Sequence, residues 1–494
     1  MSDNRDINFQ STQRQKRILP EDSFGDWKWR EALAELMVPL IGSLYRDGVN
    51  IMIYGKSLVN ESPVAIMKAH RFARQADSNE LSESETYPMI EYLSSLNLID
   101  CEIDIGEIAV KCPFFNEIKS DTSKIPEYLN IELESVINKK SKRPDNPESI
   151  VLYGFGRIGR LLARMMTQTT GPGNYYILRA IVIRKASEDD IYKRASLLSR
   201  DSVHGSFDGT VRVDEENSSL VVNGNPIKII YANNPSEVAY KDYEINEPIV
   251  IDNTGVWRDE SSLSKHLDSG ASKVILTAPA KGAIKNIVYG INDEEIVDDD
   301  KILSAASCTT NAIVPVLKSV NDKYTIESGH IETIHSYTND QNLIDNFHKG
   351  DRRGRGAPLN MVITTTGAVK AVSKALPELD GKLTGNAIRV PTPNVSLALL
   401  SLTLGNVTTK EKINDFLRSE AFHSKYREII GFVNSSEIVS TDFYSSPFAT
   451  VIDSNATIVN GNRITLYCWY DNEYGYTKQL SLIHISEPTR LSRI

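Results

Sequence analysis

Ser307-Cys308-Thr309-Thr310-Asn311 places one thiol where an apolar run meets a helix pattern. Lys301-Ile302-Leu303-Ser304-Ala305-Ala306 reads as a short buried strand, and Asn311-Ala312-Ile313-Val314 reads as the opening of an amphipathic helix with Pro315 in its first turn. Cys308 then heads a helix, where unpaired N–H groups and the positive end of the dipole favour a thiolate near neutral pH. Such a nucleophile needs a base. His335 follows 27 residues later, at the end of the β-rich run His330-Ile331-Glu332-Thr333-Ile334.

Upstream, Ser149-Ile150-Val151-Leu152-Tyr153 is a compact apolar strand running into Gly154-Phe155-Gly156-Arg157-Ile158-Gly159-Arg160, and then into a helical stretch from Leu161 to Met166. This is G-x-G-x-x-G in strand–turn–helix context. The first glycine permits the turn, the second lets a pyrophosphate approach the backbone, and the third lets helix and strand pack closely. Gly154, Phe155, Gly156, Arg157 and Ile158 are therefore the expected cofactor turn.

Together these residues resemble the glyceraldehyde-3-phosphate dehydrogenase family. The resemblance runs from about Ile150 to Gln479 and rests on GFGRIGR, DSVHG, SCTTN, HSYTNDQ, TTTGAVKAV, ELDGKLTGNAIRVPTPNVSL and WYDNEYGY. It implies an α/β chain: a Rossmann dinucleotide-binding domain passing at the cysteine into an α+β catalytic domain with a mixed sheet. It also implies phosphorylating oxidation of glyceraldehyde 3-phosphate through a Cys308 thioester, with His335 as base, inorganic phosphate as acceptor, and a homotetramer. By motif, Thr338 and Arg389 match the substrate-phosphate site. Ser307, Thr309, Thr366, Gly367 and one of Arg352 and Arg353, with Arg353 preferred, match the inorganic-phosphate site. Thr254, Gly255 and Thr277 lie in loops that family members bring against the cofactor. Asn472 matches the residue holding the nicotinamide carboxamide, with Tyr476 packing nearby. Two alternatives stay open: a related enzyme such as erythrose-4-phosphate dehydrogenase, and a regulatory or binding role carried by the N-terminal extension.

Two departures stand out. Dinucleotide enzymes that use NAD end the second strand with an acidic residue for the adenosine 2′-OH. Here the strand ends Ile183-Arg184-Lys185, and cations at that point suit a 2′-phosphate. The cofactor is accordingly NAD or NADP, with NADP accepted. The second departure is Tyr153, which stands where the family usually has asparagine.

Residues 1–147 form an extension that the common family form lacks, expected to be mainly helical over Trp27–Tyr45, Val64–Gln75 and Ser82–Leu96, with Lys139–Pro147 as a linker. Residues 148–307 are expected to be the dinucleotide domain and 308–479 the catalytic domain. Residues 480–494 break the family pattern: Pro488 interrupts a helix, and the string reads as translated adapter or vector sequence.

The balance of the chain excludes other classes. Of 494 residues, 24% are charged, and the net charge of −10 with no basic block argues against a nucleic-acid binder. There is no apolar run long enough for a membrane span. The four cysteines, Cys101, Cys112, Cys308 and Cys468, have no zinc or disulfide spacing, so no metal is expected and a cytoplasmic location is.

Overall fold

The computed structural model describes residues 23–76, 81–118, 121–140, 146–168, 176–483 and 492–493. The chain divides into two compact units, one built on residues 1–143 and the other on residues from 144 to 490. The 141–145 portion of the expected linker and most of the 480–494 tail lie outside the described residues.

In the first unit the three expected helices form, as α1 (Ser23–Arg46), α2 (Pro63–Ala76) and α3 (Glu83–Leu93). The unit is mainly helical, as expected, and adds a small sheet to the helices. Strands β1 (Val49–Ile53), β2 (Lys56–Ser57) and β3 (Cys101–Asp104) alternate with those helices, and α4 (Ile105–Lys111) and α5 (Ile125–Glu132) follow. β1 pairs parallel to β3 and antiparallel to β2. The sheet was hidden because Val-Asn-Ile-Met-Ile, apolar at four of five positions, is too short to show a strand period; four of its five residues are buried. Asp104 joins sheet to helix, its carboxylate accepting from the N–H groups of Tyr54, Gly55 and Glu107.

The second unit holds two eight-stranded sheets. The first and its helices are β4 (Glu148–Tyr153), α6 (Arg157–Gln168), β5 (Tyr176–Ile183), α7 (Asp190–Ser199), β8 (Val211–Asp214), β9 (Ser219–Val222), β10 (Asn225–Tyr231), β11 (Ile249–Asp252), α8 (Glu260–Asp268), β12 (Lys273–Leu276) and β13 (Ile302–Ser304), while β6 (Arg200–Asp201) and β7 (Gly205–Ser206) pair as a separate two-stranded ribbon. The sheet's order is β13-β12-β11-β4-β5-β10-β9-β8, with β13 through β10 parallel. Both faces are covered. Ile150, Leu152 and Ile181 join one apolar core and Val151, Ala180 and Val182 the other, so the strands read as continuous apolar runs. β8 and β9 pair antiparallel as a hairpin.

The second sheet follows α9 (Cys308–Tyr324). It comprises β14 (Ile326–Ser336), β15 (Val362–Thr364), α10 (Ala368–Ala375), β16 (Leu383–Val390), β17 (Ser396–Leu404), α11 (Lys410–His423), β18 (Ile430–Val433), β19 (Thr450–Asp453), β20 (Ile458–Asn460) and β21 (Arg463–Tyr470). β14 runs parallel to β16 and antiparallel to β17, giving the expected mixed sheet. α12 (Tyr474–Ile483) returns to the first sheet, where Leu480 enters its core. Finally β22 (Ser492–Arg493) pairs with β3.

Candidate active site

Cys308 is the first residue of α9, three residues before Asn311, where the apolar pattern opens. Ser307 caps the helix, its hydroxyl accepting from the Thr310 N–H at 3.1 Å. Pro315 consequently sits inside the helix rather than in its first turn. The chain turns from β13 into this cap through Ala306, held at φ +55°, a left-handed conformation uncommon for a residue with a Cβ.

His335 Nε2 lies 3.5 Å from Cys308 Sγ. Its other nitrogen, Nδ1, is 2.8 Å from the Ser336 carbonyl; in the tautomer that donates Nδ1–H to that carbonyl, Nε2 is free to accept the thiol proton. Arg389 stands directly beside it. His335 and Arg389 are in register on the parallel pair β14 and β16, and Arg389 Nη1 lies 2.8 Å from Nδ1 while donating to the Ser336 carbonyl at 2.9 Å. Burial and then the Arg389 charge push the imidazole down to about 3.

The resting thiolate expected at the helix end is not what these surroundings favour. Burial pushes the Cys308 thiol up, and Arg389, Thr309 and the first N–H groups of α9 only partly offset it. These surroundings favour a neutral thiol against a neutral imidazole at rest.

Sequence reasoning missed the support behind this pair. Tyr470, last residue of β21, is fully buried; its hydroxyl lies 3.1 Å from Thr309 Oγ1 and 2.6 Å from Thr333 Oγ1, and its ring meets His335 edge-on. Two residues from His335 on one strand face, Thr333 could have been found by strand alternation. Ser336 and Ser396 were missed as well: both hydroxyls donate to Asn472 Oδ1, at 2.8 and 2.9 Å. Tyr476, as expected, packs nearby, its hydroxyl reaching the Ala306 carbonyl at 3.3 Å.

The phosphate residues are less closely knit. Arg353 bonds Asp340 and Thr364 Oγ1, and its charge acts on Arg389, so two cations share one neighbourhood. Thr338 is half-buried, and Thr366 caps α10 by accepting from Ala368 N–H beside exposed Gly367. Among the described residues no hydrogen bond ties Thr338, Arg353, Thr366 or Gly367 to the Cys308–His335 pair.

The cofactor turn fits a dinucleotide. Gly154 has φ +97°, a Cβ on Gly159 would meet the Gly154 carbonyl at 2.5 Å, and a Cβ on Gly156 would point into open space at the N-terminus of α6, where a pyrophosphate would approach. Arg157 pairs with Asp201 and Glu473. Asp252 organises both flanking loops: its carboxylate accepts from Thr254 N–H and Oγ1–H, and its carbonyl accepts from Thr277 N–H. Arg184 and Lys185 are exposed past the end of β5, and among the described residues neither makes an ion pair; Lys185 sits 5.6 Å from the Tyr231 ring. Tyr153 packs edge-on against His266 and Trp257, filling the space under the turn.

Two family models match the chain: "Glyceraldehyde 3-phosphate dehydrogenase, NAD binding domain" over residues 148–260 and "Glyceraldehyde 3-phosphate dehydrogenase, C-terminal domain" over residues 307–472. Among similar proteins, a "Glyceraldehyde-3-phosphate dehydrogenase-like protein" of Pseudomonas aeruginosa (strain UCBPP-PA14) is 56% identical over 448 residues, covering 90% of this chain and 96% of the relative. That span takes in most of the N-terminal extension. The glyceraldehyde-3-phosphate dehydrogenase of Zymomonas mobilis is 38% identical over 333 residues, covering 67% of this chain and 96% of the relative. A chloroplastic glyceraldehyde-3-phosphate dehydrogenase of Arabidopsis thaliana is 41% identical over 343 residues, covering 67% and 81%.

Proposed function

The chain belongs to the glyceraldehyde-3-phosphate dehydrogenase family, and on that premise we propose that it oxidises glyceraldehyde 3-phosphate to 1,3-bisphosphoglycerate, with inorganic phosphate as acceptor. The observation that carries this reading is the 3.5 Å approach of Cys308 Sγ to His335 Nε2 at the head of α9.

As Sγ adds to the aldehyde carbon, its proton passes to His335 Nε2, and the resulting imidazolium N–H and the first N–H groups of α9 face the new oxyanion. Nicotinamide, when bound, supplies the acceptor for the two electrons and hydrogen leaving the substrate carbon. Gly154 to Ile158 would hold its pyrophosphate, Thr254, Gly255 and Thr277 its flanks, and Asn472 its carboxamide, with Tyr476 behind. A thioester on Cys308 remains. A phosphate oxygen attacks its carbonyl, the carbon–sulfur bond breaks, and the thiolate recovers a proton from His335. Arg389 and Thr338 serve the substrate phosphate; Ser307, Thr309, Arg353, Thr366 and Gly367 serve the incoming one. The cations Arg389 and Arg353 support phosphate rather than water as acceptor, and so this reaction over hydrolytic relatives.

Acceptance of NADP is supported by exposed Arg184 and Lys185, which make no ion pair among the described residues and stand where an NAD enzyme has a carboxylate. A homotetramer is supported by a loop with exposed Leu343, Ile344, Phe347, Leu359 and Met361, a patch too apolar to be left in water. In this reading the reaction serves glycolysis or gluconeogenesis in the cytoplasm.

The test is the initial rate of NADH and NADPH formation from glyceraldehyde 3-phosphate, with and without inorganic phosphate, on the full chain and on Cys308→Ser. Phosphate-dependent reduction lost in the variant is expected. Reduction that ignores phosphate, or that survives in Cys308→Ser, overturns the reading.

A further inference from the structure

The Asn472 side chain is chemically two-faced: one end donates and the other accepts, and a half-turn of the amide exchanges them. A residue that holds a carboxamide must have that choice made in advance. We infer that Ser336 and Ser396 are positioning residues that make it, by committing Asn472 Oδ1 to the protein and leaving Nδ2 as the end that meets the cofactor. The inference rests on the proposed role of Asn472 and goes beyond it.

Three observations carry the argument. Ser336 Oγ and Ser396 Oγ lie 2.8 and 2.9 Å from Oδ1, which has two lone pairs and so is filled by the two hydroxyls. The Ser396 hydroxyl already accepts from the Ser336 N–H at 3.1 Å, which leaves its own proton to be donated onward, with Asn472 Oδ1 at 2.9 Å and the Tyr470 hydroxyl as its neighbours. Nδ2, in contrast, has no hydrogen-bond partner among the described residues, although Asn472 is only 6% exposed. A buried amide with one end saturated and the other unused is set for an external acceptor.

The sheet supplies the geometry. Ser336 ends β14 and Ser396 begins its antiparallel neighbour β17, so the two hydroxyls emerge at one sheet end, while Ser396 is also in register with Tyr470 on β21, two residues before Asn472. Both serines are essentially fully buried, so neither hydroxyl exchanges its partner for water. In chemical terms the pair selects a carbonyl oxygen on the ligand over an N–H.

The test compares equilibrium affinity of the full chain for NAD and for ADP-ribose, which lacks the nicotinamide, by titration calorimetry. The proteins are wild type, Ser336→Ala, Ser336→Thr, Ser396→Ala and Asn472→Ala. Loss of one orienting hydrogen bond should weaken NAD about tenfold in each serine-to-alanine variant while ADP-ribose stays within about twofold. Ser336→Thr keeps the hydroxyl and should bind NAD like wild type. Asn472→Ala should lose at least as much NAD affinity as either serine variant. If Asn472→Ala weakens NAD and the serine variants do not, the positioning inference is overturned while the role of Asn472 stands. An unchanged NAD affinity in Asn472→Ala overturns that role itself. Equal losses for NAD and ADP-ribose in the serine variants would show a merely structural effect and overturn the inference.

Discussion

Replacing Arg389 by glutamine removes a charge from beside His335 while keeping an N–H for the Ser336 carbonyl. In the native site the imidazole is pushed from 6.5 to about 3, first by burial and second by Arg389, with the Ser336 carbonyl opposing. Arg389 is the smaller of the two lowering causes, so burial keeps much of the fall when its charge is removed. Coulomb's law gives a ceiling: two unit charges about 5 Å apart at an effective dielectric of 20 repel by about 3 kcal/mol, or roughly 2 units. The Arg389→Gln midpoint should therefore rise to between about 4 and 5, short of the free value because burial remains. NMR titration of histidine-labelled protein reads this directly, and His335→Gln assigns the signal among the eight histidines. A midpoint that stays near 3, or falls, would refute the reasoning that Arg389 holds the base neutral. A phosphate-bearing ligand that compensates the Arg389 charge should move the wild-type midpoint the same way, which would make the base stronger when substrate is present.

Three further outcomes are expected. Between pH 6.5 and about 3 the unfolded chain protonates at His335 while the native chain does not, so stability falls as pH drops through that window, by at most about 4 to 5 kcal/mol; His335→Gln should flatten the slope of thermal stability against pH by about one proton. Exchanging Arg184 for aspartate, with Lys185→Ala, should raise the KM for NADP by about tenfold or more relative to that for NAD, since a carboxylate repels a 2′-phosphate; an unchanged ratio of kcat/KM values would sink the cofactor argument. Phe347 is 90% exposed in an apolar loop, and Phe347→Asp should shift sedimentation toward smaller species if that loop packs against another copy.

What could be read from the sequence was whatever is local. The Gly154–Gly159 turn, the Cys308 helix end and the β8–β9 hairpin each depend on neighbours within a few residues. Non-local features were legible only where the family resemblance supplied them, and the contacts behind the catalytic pair stayed hidden. Nothing in the order of residues places Tyr470 under both Thr309 and Thr333, because that contact depends on β21 crossing the sheet to reach β14 and α9. The resting charge of Cys308 escaped for a related reason: helix-end reasoning counts the N–H groups that stabilise a thiolate but not the protein mass that desolvates it. In the first unit, helices showed through their 3.6-residue period, whereas the buried β1 had no period to show.

The register of β14 with β16 acts as a ruler. His335 and Arg389 face each other across one parallel strand interval, so their backbones are spaced by the pitch of a sheet, near 4.8 Å, rather than by loop conformation. Loops around such a site can lengthen, shorten or change sequence without altering that interval. A slip of one residue in either strand would do the reverse, sending one of the two side chains to the opposite face and separating base from cation entirely. The chemistry is thus buffered against gradual drift, and it would fail by steps.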